Sequence, residues 1–332
     1  MSPHYLCAPA WSRPGTERNC HKAFRKRQHP LTLPPHLLAV LAAIFYASGS
    51  VSVKLGVQDT SVLAGLVASL ASATAFFGAI LLISPPDPPS LTGVAAFVLA
   101  GIFGPMAGRS AAVTGVDRMG ASRSVPIQGS LYPISATLIA VVALGQGVEP
   151  WEIVGLAVVV AGVWVLSREQ SAVEARTRAT PDAETVCASP PTIPPIVFPL
   201  LAGLFYGLSD VARARAVDEW AEPLAGAVIG TFTGLVLWGA VAVGVPRLRG
   251  SLRFGRGVRW FAASGIFSAL AVTCTIEALR TGDVALVSPI IAAQPLPVLV
   301  LSALFLRRLE RLDFVVVLGA VAIVLGVLVI SL

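Results

Sequence analysis

The chain has 332 residues, of which 55% are hydrophobic and only 13% charged, with a mean hydropathy of +0.79 and a formal net charge of +6. A water-soluble domain carries about a quarter charged residues. The composition therefore excludes a soluble protein and predicts one embedded in the lipid bilayer.

The first 36 residues stand apart, holding all four histidines, two of the four cysteines and six of the 24 Lys+Arg against one acid, Glu17. They are too charged and too proline-interrupted for the apolar region of a signal peptide, so residues 1–36 are expected to form a basic, disordered tail. His4, Cys7, Cys20 and His21 match no zinc-binding spacing, and no metal or other cofactor is expected. Cys187 and Cys274 lie far from them in the chain, so the cysteines give no disulfide framework.

Ten apolar runs follow, at about 37–56, 61–83, 91–113, 121–144, 151–167, 195–213, 223–244, 258–278, 284–306 and 312–331. Each has roughly the 17 to 25 residues that a helix needs to cross the hydrocarbon core. They are continuous, whereas barrel strands alternate every second residue. The predicted class is an all-α integral membrane protein with ten transmembrane helices. Proline, glycine and charge punctuate the joints, as in "SPPDPPS" (Ser84 to Ser90) and "GVPRLRGSLRFGRG" (Gly244 to Gly257). The one long polar linker, residues 168–194, separates a first unit of five spans (37–167) from a second (195–332).

The two units repeat one another. "IFYASGS" (Ile44 to Ser50) falls on "LFYGLSD" (Leu204 to Asp210) at a shift of 160. At 161, "LAG" (Leu63 to Gly65) falls on "LAG" (Leu224 to Gly226), and Gly78 on Gly239. At 164, "GIF" (Gly101 to Phe103) falls on "GIF" (Gly265 to Phe267), and Gly155 and Gly162 fall on Gly319 and Gly326. Two copies of a unit with an odd number of spans must sit in opposite orientations. That is the inverted repeat of many secondary transporters, whose solute site lies between the halves near the midplane.

Gly282, Pro289, Pro295, Glu310, Gly319 and Gly326 form a pattern: a small-Gly-polar step, a span with prolines, a turn glutamate and a final Gly-x6-Gly span. Gly120, Pro126, Pro133, Gly155 and Gly162 repeat it more faintly in the first half. The stretch from Ala278 to Ile330 resembles the EamA family of the drug/metabolite transporter superfamily, and the likeness extends over about residues 37–332. The resemblance implies two EamA repeats, ten spans and passage of small organic solutes. Gln146 stands where the turn glutamate of the first half would be, with Glu149 three residues on; both positions end a span, so the glutamate is read as a cap. The resemblance implies cytoplasmic termini, whereas the distribution of Lys and Arg favours an outside N-terminus. The two indications point opposite ways.

Ionisable groups at membrane depth are costly and usually face a cavity. Arg109 is such a group, and Asp210 and Glu277 are the candidates for ion coupling. Asp210 with Arg213, and Glu277 with Arg280, each share a helix face and would also serve as interfacial ion pairs. Tyr46 and Tyr206 are repeat mates near the middle of their spans, Gln128 and Tyr132 face one way on the fourth span, and Gln294 lies between Pro289 and Pro295. These six residues, Tyr46, Arg109, Gln128, Tyr132, Tyr206 and Gln294, are the candidate solute contacts. Their neutral-leaning character suits zwitterionic or uncharged solutes; the alternative role of the polar set is hydrogen bonding between helices. The small-residue stripes Gly226, Gly230, Gly234 and Gly65, Ser69, Ala73, and the pair Gly104, Gly108, are read as internal packing surfaces rather than as the seam of a homodimer.

The sequence has no P-loop, no HExxH and no GxSxG. It therefore predicts a secondary transporter, not an enzyme, with a small-molecule solute and the bilayer as partners and no nucleic acid. A channel or sensor is the alternative, and an intramembrane enzyme a more remote one.

Overall fold

The computed structural model describes residues 33–131, 154–155, 157–158, 161–162, 164–165, 193–245, 252–281, 290–291, 293–306 and 314–330. Six helices are long and apolar enough to cross a membrane: α1 (Pro35–Gly56), α2 (Val62–Ile83), α3 (Leu91–Met119), α6 (Val197–Glu219), α7 (Pro223–Gly244) and α8 (Val258–Thr281). Four more helices are described in part: α4 (residues 121–131), α5 (helical at 154–155, 157–158, 161–162 and 164–165), α9 (Pro295–Phe305) and α10 (Phe314–Ile330). Six of the ten expected spans are thus seen along their length. The tail 1–32, residues 132–153, the linker 168–192 and residues 282–289 lie outside the described residues.

Local chemistry sets the helix ends. Pro35 and Pro223 open α1 and α7, where a missing N–H leaves no bond unmade. Ser61 and Ser90 cap α2 and α3, their hydroxyls accepting from the N–H of Ala64 (3.4 Å) and Gly93 (3.0 Å). α3 runs 29 residues, past the end expected at residue 113, and stops at Gly120. Gly120 has φ 84°, which a residue without a Cβ adopts freely. It accepts from the N–H of Ser124 (3.1 Å), so α4 begins at once.

The two halves interlock reciprocally through mated positions. On α2, a Cβ at Gly65 would overlap the buried ring of Phe261 on α8. On α7, a Cβ at Gly226 would overlap the buried ring of Phe97 on α3. Gly226 is Gly65 shifted by 161, and Phe261 is Phe97 shifted by 164. Further along, a Cβ at Gly265 would overlap the Ser69 backbone, as a Cβ at its mate Gly101 would stand 2.9 Å from the Cα of Gly230. Farther still, Ala73 clusters with Ala269, and a Cβ at Gly234 would stand 2.9 Å from Pro105. The small-residue stripes are therefore filled within the chain. α1 packs on α8, where a Cβ at Gly49 would stand 3.5 Å from the Ser268 hydroxyl, and α6 packs on α3, where a Cβ at Gly104 would stand 2.5 Å from that of Ser209. Those pairs, too, are mates with glycine and serine exchanged. α5 and α10 meet where a Cβ at Gly162 would stand 3.0 Å from the Gly319 carbonyl.

Directions follow from these contacts. α2 runs parallel to α8, because 65, 69 and 73 meet 261, 265 and 269 in order. α7 runs parallel to α3 for the same reason. α1 runs against α8: Leu38 and Ala39 lie by Ala278, while Gly56 lies by Phe261. Mated helices therefore run in opposite directions. The turn after α1 pairs with the approach to α8, Ser61 N–H donating to the Arg253 carbonyl (3.1 Å). The turn after α2 pairs with the turn after α6, Trp220 Nε1 donating to the Asp87 carbonyl (3.2 Å). α2 connects one of these ends to the other. The outer faces stay apolar, with Phe232, Val236 and Val243 of α7 and Val300 and Leu304 of α9 exposed, as lipid contact requires.

Candidate functional site

Arg109 lies well inside α3, and what precedes it explains its aim. Residues Ile102–Gly108 form a π-helical segment containing Pro105, and the Arg109 N–H reaches back to the Gly104 carbonyl. Proline offers no N–H and crowds the preceding turn. A π turn inserts a residue into the helical repeat, re-aims the side chains beyond it and marks many functional sites. The matching stretch of α8 is ordinary α-helix. Met106, in the widened segment, gives its carbonyl to Trp238 Nε1 at 3.1 Å.

The Arg109 guanidinium donates to three serine hydroxyls: from Nη1 to Ser268 (3.1 Å), and from Nη2 to Ser264 (3.3 Å) and Ser69. Ser69 comes from α2, and Ser264 and Ser268 from α8, so both halves contribute. Nε is buried with no partner. Gly108, one residue earlier, leaves room for the Tyr206 ring, which a Cβ there would meet at 3.1 Å. Tyr206 lies within electrostatic range of Arg109, Arg213 and Asp210. Tyr46, its repeat mate, is hydrogen-bonded to Thr275 and within range of Tyr206, Arg213 and Asp210. Asp210 and Arg213 form an ion pair at 2.8 Å, one helical turn apart on α6. Beside them the rings of Phe45 and Phe267 stack with centroids 6.3 Å apart.

The sequence-predicted residues thus fall into two groups. Tyr46, Arg109, Tyr206 and Asp210 share one cluster at mid-depth. Gln128 and Gln294 form a second place, where α4 approaches α9. A Cβ at Gly129 would stand 3.9 Å from Gln294 Nε2, and the Gln128 carbonyl lies 2.5 Å from where a Cβ of Gly203 would be. Gln128 Oε1 is buried without a partner. Glu277 has a partner of its own, and Tyr132 lies outside the described residues. An apolar groove of about 460 Å³ between α1 and α9, lined by Val40, Ile44, Ile290 and Leu296 among others, holds no ionisable group and suits an acyl chain better than a solute.

Ser69, Ser264, Ser268 and Thr275 carried no signal when each helix was read alone, because a hydroxyl in a membrane helix usually returns to its own backbone. The repeat alignment does carry one. The mates of Ser69, Ser264 and Ser268 are Gly230, Ala100 and Gly104, and the mate of Arg109 is Thr273. The polar cluster is built where the copies differ.

This arrangement, two oppositely directed helical units of apolar spans enclosing a polar cluster, defines a multi-pass membrane protein. The model of the EamA-like transporter family matches residues 33–168 and again 193–332. The chain belongs to that family, one of membrane transporters for small-molecule solutes in the drug/metabolite superfamily. No curated protein matches it. A solved structure described only as "Crystal structure of protein" is similar in fold, with a TM-score of 0.56 over 89% of this chain and 95% of that one at 17% identity.

Proposed function

We propose that the chain is a secondary transporter that moves small organic metabolites across the cell membrane by alternating access, its two repeats rocking about the central cluster. One observation carries this reading. The Phe97–Gly226 and Phe261–Gly65 sockets are reciprocal, so the interface offers two equivalent ways of tilting one half against the other, while the polar groups lie where both halves meet. Two conformations of nearly equal packing are what a rocking carrier needs. Tyr46, Arg109 and Tyr206 contact the solute in this reading, and Gln128 and Gln294 line its path. Tyr132 joins them by its spacing from Gln128. Asp210 and Glu277 are assigned to ion coupling. The purified protein in proteoliposomes should show saturable solute uptake accelerated by unlabelled solute on the far side. Ohmic current without counterflow would make it a channel and overturn the assignment.

A further inference from the structure

We infer that the cluster around Arg109 is a binding site for a small organic anion, a carboxylate or a chemically similar oxyanion. The inference rests on the transport reading and narrows it: the solutes accepted are organic acids.

A guanidinium stays charged in proteins. A buried cation is stable only with a compensating partner. Among the described residues Arg109 has none that is charged. Its hydrogen bonds go to three neutral hydroxyls, and its one electrostatic neighbour is Tyr206. Asp210 is already bound to Arg213 at 2.8 Å, and Glu277 has its own partner. Among the described residues, the cluster of Arg109, Asp210 and Arg213 therefore carries one uncompensated positive charge.

The serines make the place receptive. Each accepts from Arg109, and none of Ser69, Ser264 and Ser268 gives its hydroxyl proton to a described acceptor. Three O–H donors and an unpartnered Nε–H thus surround a fixed cation, and a carboxylate matches that set: charge-assisted bonds to guanidinium are among the strongest a protein makes. Access is on one side. Ser69 and Ser264 are closed off, whereas Arg109, Ser268, Tyr46 and Tyr206 each keep part of their surface open although they lie mid-bundle. The acid would enter there, with its body against the two tyrosines. The mated positions, with Thr273, Gly230, Ala100 and Gly104, reproduce none of this, so the site is single.

The test uses thermal unfolding of the purified full chain in detergent, with matched probes at constant ionic strength: succinate against succinamide, glutamate against glutamine, and benzoate against benzamide and benzylamine. At least one acid should raise the melting temperature where its amide does not. Arg109→Gln should weaken that response by about tenfold or more. Arg109→Lys keeps the charge but loses the fork and should weaken it less, while Gly78→Ala should leave it intact. If the amides or the amine stabilise and the acids do not, if no acid acts, or if an acid's effect survives Arg109→Gln, the inference fails. Should Arg109→Gln not fold, the acid-against-amide comparison on the unaltered chain decides alone. Proteoliposomes separate the two layers. Counterflow of an uncharged solute that ignores Arg109 would leave a carrier without an anion site, and acid binding without counterflow would leave an anion site without a carrier.

Discussion

The reciprocal sockets allow a test of the inverted architecture that needs no solute. Gly65→Ala places a methyl group inside the ring of Phe261, and Gly226→Ala places one inside that of Phe97. Both rings are fully buried, at 0% and 1% exposure, and neither can swing out to solvent. The methyl forces the helices apart or the ring off its rotamer, at about 1–3 kcal/mol. Alanine is the better helix former by about 1 kcal/mol, which leaves a net loss of up to about 2 kcal/mol for each variant. Gly78 and Gly239 are also mates, but nothing lies within 4 Å of a Cβ at either. Their alanine variants should therefore be neutral or slightly more stable. The gap between the two pairs is about 2 kcal/mol, or several degrees in melting temperature. Thermal unfolding of the four variants in detergent, followed by tryptophan emission, measures it. Equal losses in Gly65→Ala and Gly226→Ala with none in the other two are expected. A loss in only one of the socket variants, or the same behaviour in all four, would refute the reciprocal packing.

Further expectations follow from the same geometry. Single cysteines at Pro88, in the turn after α2, and at Phe254, in the approach to α8 that pairs with the turn after α1, should be labelled by an impermeant maleimide from opposite sides of the membrane; labelling from the same side would rule out oppositely directed repeats. Gly230→Leu should lower the melting temperature, because Gly101 Cα lies 3.7 Å from a Cβ at Gly230, without changing the order of preference among solutes. Gln294→Ala should weaken binding of whichever solute stabilises the protein, and unchanged affinity would remove Gln294 from the path. Asp210→Asn should abolish ion-driven accumulation while leaving counterflow, the reverse pattern assigning Asp210 to packing with Arg213.

The sequence made the repeat legible because glycine cannot be exchanged where a ring or a backbone fills its place. Gly65 and Gly226, or Gly101 and Gly265, are forced by contact rather than by chance composition. It made Arg109, Asp210 and the two tyrosines legible because charge and hydroxyl are rare at membrane depth. The end of α3 was misplaced at residue 113 because Arg109, Asp117 and Arg118 dilute its hydropathy, although the helix continues to Gly120. The π segment escaped for a different reason. A proline in a membrane helix kinks or widens it depending on what neighbouring helices supply, and Trp238, which accompanies the widening, comes from the other half of the chain. The company Arg109 keeps is likewise tertiary: Ser69, Ser264 and Ser268 are brought together by the α2–α8 seam.

Symmetry and its breaking divide the labour in this fold. Gly49 against Ser268 and Gly104 against Ser209 use the same two residue types in exchanged places, so the seams on the two sides are built alike. A solute site cannot share that equivalence. A second arginine at the mate of Arg109 would add a second cation to the same low-dielectric interface, and repulsion would exceed what shared hydroxyls could offset. Thr273 holds that position instead, its hydroxyl returned to the Ala269 carbonyl at 2.9 Å and so satisfied within its own helix. Among the described residues, the widened segment of α3, the Arg109 guanidinium and the three serines that hold it stand on one side of an otherwise paired interface. On the rocking-carrier proposal, the small-residue seams set how readily the two halves exchange, and the unpaired side of the interface sets which solute they exchange around.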